Sequence, residues 1–111
     1  MKILKTSKDL SRIDAYNMTH ASTEKMKDAE GETLNVTAWI LGSADGEDGN
    51  PYSVLLITDG EITYSTSSDV FISMFLEAVD TFGEDLKGID VKMMKSKKTG
   101  REYLSLKKVY A

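Results

Sequence analysis

The chain has 111 residues, 41% hydrophobic and 29% charged, with a formal net charge of −4. That length fits one domain with a core of its own. The absence of cysteine excludes disulfides and thiolate metal sites. The opening stretch, MKILKTSKDL, lacks the apolar run of a secretory signal, and nothing approaches the ~20 apolar residues that cross a bilayer. A soluble protein of the cytoplasm is therefore expected.

Residues 1–32 are polar and mixed, without a clean period. Thr6 or Ser7 is placed to cap a short helix carrying Leu10 and Ile13, and Ala21–Met26 suits another turn. This segment reads as an N-terminal extension packed on a main domain spanning 33–111. From Thr33 the pattern sharpens. Leu34, Val36, Ala38 and Ile40 alternate with Asn35, Thr37 and Trp39, the period of a half-buried strand over 33–41. Residues 42–51 read as a loop rich in Gly and Asp, closed by the single proline. Residues 52–58 (YSVLLIT) form an apolar strand covered on both faces. Asp59-Gly60 suits a two-residue type I′ turn, and 61–66 pairs back as a third strand.

The period then changes to three and four. Val70/Phe71, Met74/Phe75, Ala78/Val79 and Phe82 make an amphipathic stripe, predicting a helix over about 68–82. Ser67 or Ser68 caps its start and Gly83 its end. Residues 88–96 return to strand, with Ile89, Val91 and Met93 in phase. Residues 97–100 turn, and 101–110 form the last strand, with Leu104 and Leu106 facing inward.

The order β-β-β-α-β-β predicts a mainly β fold, a five-stranded OB barrel with the helix between its third and fourth strands. A plain α+β sandwich has the same order of elements.

Catalysis finds no residues. His20 is the only histidine, and the twelfth position counted from Asp45, where a calcium loop requires glutamate, is Leu56. No phosphate-loop, dinucleotide or nucleophile-elbow motif occurs. The expectation is a protein with no enzymatic activity, no cofactor and no metal.

Binding has better candidates. Thirteen Asp/Glu and no Lys or Arg lie between Asp28 and Leu86, whereas Lys87–Ala111 carries eight Lys/Arg against Asp90 and Glu102. Lys2, Lys5, Lys8 and Arg12 form a second basic group. An acidic body with a basic end can make one face an anion-binding surface; the plainer alternative is an edge hairpin solubilised by lysines. Single-strand binders combine such a face with aromatic rings on which bases stack. Trp39 and Tyr103 fall out of phase with the apolar residues of their strands, and Tyr52 opens a strand directly after a loop. Tyr64 is a weaker stacking candidate, since it shares phase with Ile62. The phosphate-binding candidates are Lys92, Lys95, Lys97, Lys98, Arg101 and Lys107. The acidic loop at 45–50 would repel phosphate, so a strand must pass beside it.

Several short runs carry a family likeness. They are Ser11–Thr19 (a TxxDxYxMT pattern whose first position is serine here), Lys25–Ala29, Thr37-Ala38-Trp39, Ile57–Gly60 and Thr99–Leu106. Together they resemble the short single-stranded DNA-binding proteins encoded by phages and prophages of low-GC Gram-positive bacteria. The resemblance implies an OB fold, sequence-independent binding of single-stranded DNA, a role in phage replication or recombination, and room for a homodimer. One departure is the ending SLKKVYA, where many single-strand binders carry an acidic tail that recruits replication proteins. The competing expectation is a protein-interaction domain, a phage-encoded adaptor or inhibitor that engages a host protein through its acidic surface.

Overall fold

Eight strands and two helices make up the computed structural model, which describes residues 1–111. The strands are β1 (Lys2–Thr6), β2 (Glu24–Lys25), β3 (Thr33–Asn35), β4 (Ala38–Asp45), β5 (Pro51–Thr58), β6 (Thr63–Thr66), β7 (Gly88–Lys95) and β8 (Glu102–Tyr110). The helices are α1 (Arg12–His20) and α2 (Asp69–Phe82). The fold is mainly β, as the patterning predicts. Its strands form two separate sheets, β1-β4-β5-β6-β2 and β3-β7-β8, and they do not close into a barrel. No helix is long and apolar enough to cross a membrane.

The stretch expected as one strand over 33–41 is two. The Val36 N–H donates to the Lys87 carbonyl at 2.9 Å, in the smaller sheet, and the Thr37 N–H donates to the Thr58 carbonyl at 3.0 Å, in the larger. The chain therefore changes sheets between adjacent residues, as a strand does at the corner of two packed layers.

The β4–β5 hairpin is longer than expected, running from Ala38↔Thr58 to Asp45↔Pro51. Only residues 46–50 are left as loop. The Gly46 N–H donates to the Asn50 carbonyl at 2.9 Å, and the Asp48 carboxylate accepts from the Asn50 N–H at 3.0 Å. The next turn also differs from expectation. Gly60 has φ +103°, but Asp59 is not left-handed, so the type I′ turn is absent. Instead, Asp59 Oδ1 accepts from the N–H groups of Glu61 and Ile62 at 2.8 and 2.7 Å, forming a side-chain-closed loop before β6. Those bonds hold the Asp59 carboxyl below its ordinary value, with the Ile62 N–H the larger cause.

Both faces of β4 and β5 are buried. Trp39, Leu55 and Ile57 join the main core with Phe71, Phe75, Ile89 and Leu104, between the sheets and α2. Ile40 and Leu56 face the other way and are covered by Met18 of α1. Ser11 caps α1 by accepting from the Asp14 N–H at 3.1 Å, so the helix begins later than Thr6 or Ser7 would start it. α2 follows the middle of its predicted stripe: Phe71, Phe75 and Ala78 are buried together with Ile72, whereas Val70 and Phe82 at its ends are exposed, and Ser68 accepts from the Phe71 N–H.

Residues 1–32 are built into the larger sheet. β1 pairs antiparallel with β4, and β2 pairs parallel with β6, so this segment supplies both edge strands. Met26 follows directly and is fully buried in the main core. The Glu30 carboxylate then accepts from the Met93 N–H, which links the segment to the smaller sheet.

In the β7–β8 pair a bulge at Lys107 shifts the register between Asp90 and Val91. Leu104 and Leu106 point inward before it, and Val109 opposite Ile89 takes up the inward phase after it. Asp90 links all three strands of this sheet, accepting from Thr33 Oγ1 at 2.6 Å and from the Tyr110 hydroxyl at 2.7 Å. These bonds, Thr33 first, hold the Asp90 carboxyl below its ordinary 3.8. A folded value below the unfolded one contributes stability at pH above about 4, which is lost as pH falls through the lowered value. Urea midpoints of the wild type and Asp90→Asn should therefore differ near pH 6, and the gap should narrow progressively as pH falls below about 4. A constant gap would show that ionised Asp90 is not what braces the sheet.

Candidate nucleic-acid interface

A groove of about 650 Å³ lies where the two sheets fail to meet. β5 contributes Tyr52, β8 contributes Tyr103, and the N-terminal segment contributes Lys25 and Lys27. The hydroxyl-rich run Ser65–Ser68 lines it between β6 and α2, while Met26 and Leu104 supply apolar surface. Tyr52 is 47% exposed and Tyr103 37%, so both side chains line the groove while remaining open to solvent. Sequence reasoning nominated these two tyrosines separately, and the fold brings them to one depression.

The basic hairpin adjoins the groove. Lys95 stands opposite Glu102, the residue before Tyr103, and Lys97 and Lys98 lie in the turn that follows β7. Ser96 shapes that turn. Its N–H donates to the Arg101 carbonyl at 2.9 Å, and its hydroxyl oxygen accepts from the Lys98 N–H at 3.3 Å. Gly100, at φ +69°, closes it, and Arg101 follows exposed. Lys92 sits opposite Ser105 and Lys107 on the bulge, both exposed but farther along the strands from the turn. One ion pair occurs in the whole chain, Lys5 with Asp80 at 4.0 Å. The hairpin cations and Lys25/Lys27 are therefore free of carboxylate partners, although Glu102 also lines the groove.

Two nominated aromatics lie elsewhere. Trp39 does sit opposite Ile40 in phase, but its own face is the main core. It is only 6% exposed and packs edge-to-face on Phe75, with centroids 5.7 Å apart. The expected solvated ring is corrected: α1 covers the Ile40 face, leaving the Trp39 face to meet α2. Tyr64 is likewise a core residue, and burial, followed by the charge of Asp59, pushes its hydroxyl above the ordinary value. Neither ring is presented for base stacking.

The fold also adds residues that periodicity missed. Lys25 and Lys27 reach the groove because β2 pairs with β6, a parallel contact between segments about forty residues apart. Their only sequence signal was the short run Lys25–Ala29 in the family likeness, since a two-residue strand has no measurable period.

A second depression, about 480 Å³, is lined by Trp39, Lys5, Lys8 and Val36 together with Val79 and Leu86. It holds neither Tyr52 nor Tyr103. No cluster of three or more His, Asp or Glu side chains is arranged to hold a metal ion. No protein-family model matches the chain, and no curated protein or solved structure gives a significant match.

Proposed function

We propose that the chain binds single-stranded DNA without reading its sequence, in the groove between the two sheets, and carries out no catalysis. The observation that carries this reading is the convergence of Tyr52 and Tyr103 from different sheets beside cations without carboxylate partners. Rings at two points along a groove suit successive bases, which any sequence can supply, while ammonium groups suit the phosphates between them. The order from β3/β4 through β5, β6, α2, β7 and β8, with the first strand bent across both sheets, supports reading the fold as an open relative of the OB barrel. On this reading the protein works in the cytoplasm of a bacterial host during phage DNA replication or recombination. It meets other replication or recombination proteins there and is free to pair as a homodimer.

The test is fluorescence anisotropy of a labelled thymidine oligomer at several salt concentrations. Affinity is expected to fall with salt by about 0.7 log units per log unit for each phosphate contacted. Changing Lys95, Lys97 and Lys98 together to alanine should flatten that slope by up to about 2. Absence of binding at low salt would sink the proposal. An RNA oligomer of the same length tests the preference for DNA.

One observation favours a protein-docking role instead. Ile13 and Tyr16 stand 69% and 61% exposed on the outer side of α1, more than a solitary helix face needs. Capture of a host protein that survives nuclease treatment would support that reading.

A further inference from the structure

Trp39, singled out by the sequence and left unused by the groove, forms a wall of the second depression. This cavity sits where three unrelated segments meet. The chain after β1 brings Ser7 and Lys8, the crossing between sheets brings Val36 and Thr37, and the end of α2 brings Val79 and Gly83. Its geometry is fixed by the backbone. The Ser7 N–H donates to the Trp39 carbonyl at 3.0 Å, and the Trp39 N–H donates to Ser7 Oγ at 3.1 Å. At about 480 Å³ it is within the size range of small-molecule sites, roughly 300–1,000 Å³.

Its lining is divided chemically. Trp39, Val36, Val79 and Leu86 give an apolar surface, and Lys5 and Lys8 contribute the cations of the lining. Lys5 shares its charge with Asp80 at 4.0 Å, whereas Lys8 has no carboxylate partner. The Ser7 hydroxyl accepts from the Trp39 N–H and keeps its own proton free to donate. Glu84 also borders the cavity, so a ligand with negative charge at more than one end would be repelled there.

We propose that this cavity is a binding site for a small amphipathic monoanion, with an aromatic or compact apolar body against Trp39 and a single carboxylate or similar group at Lys8. The site is separate from the groove that holds Tyr52 and Tyr103, so its existence does not depend on nucleic-acid binding.

Trp39 is the only tryptophan, which gives the test a local reporter. The probe is para-bromobenzoate, whose bromine quenches indole emission only at short range, titrated into the full chain. Saturable quenching is expected. Inorganic bromide, which meets a nearly buried ring only by collision, should quench weakly and linearly. Lys8→Glu should weaken para-bromobenzoate binding by about fivefold or more, as should replacing the probe with the neutral para-bromobenzamide. Val79→Phe, which narrows the cavity without removing charge, should reduce saturable quenching while leaving the circular dichroism of the fold unchanged. Linear quenching by para-bromobenzoate, or equal binding by acid and amide, would overturn the proposal. So would Lys8→Glu binding as tightly as the wild type.

Discussion

Phe75→Ala is expected to destabilise the protein by about 3–5 kcal/mol, the range for emptying a fully buried aromatic site. Phe75 is completely buried, and it joins α2 to the larger sheet through its edge-to-face contact with Trp39. Removing the ring takes away apolar burial, leaves a void between layers and frees the indole. A domain of this size has about 5–15 kcal/mol in all, so the variant should be near the limit of folding at 37 °C. Its melting temperature should fall by roughly 15–25 °C. Urea unfolding followed by Trp39 emission measures both the loss and the changed surroundings of the ring. A loss below about 1 kcal/mol would mean that the layers close over the gap and that Phe75 does not hold them apart.

The second large effect concerns binding. Tyr52→Ala and Tyr103→Ala should each weaken single-stranded DNA by about tenfold, and together by about a hundredfold, if each ring stacks one base. The salt slope should stay unchanged, because stacking releases no counterions. That pattern separates the rings from the lysines, whose removal changes the slope as well as the affinity. Both tyrosines are substantially exposed, so the variants should fold normally. Tyr64→Phe and Trp39→Phe serve as controls: neither ring faces the groove, and neither change should alter affinity more than about twofold. An effect at Trp39 with none at Tyr103 would place the strand elsewhere.

Expectation and structure part company at particular residues. α2 was legible because fourteen consecutive residues repeat one stripe, and Ser68 and Gly83 mark its ends. β5, β7 and β8 were legible for a similar reason, being long and apolar enough to show their faces. The 33–41 stretch misled because its period continues smoothly through the corner between Val36 and Thr37. The alternation around Trp39 implies one apolar side, whereas α1 covers the Ile40 side and makes a second. β1 and β2 were missed altogether. Edge strands draw much of their stability from pairing with a neighbour, and two to five residues of mixed character show no pattern of their own.

Charge segregation, the lack of cysteine and the positions of the main helix and strands follow from the sequence by itself, because composition and local period depend only on neighbours along the chain. Which face of β4 joins the main core, where Lys25 and Lys27 end up, and that Tyr52 and Tyr103 line one groove while Trp39 does not were decided only by tertiary structure. Each depends on contacts between residues far apart in the chain, and such contacts are set by how sheets and helices compete to cover the same apolar faces.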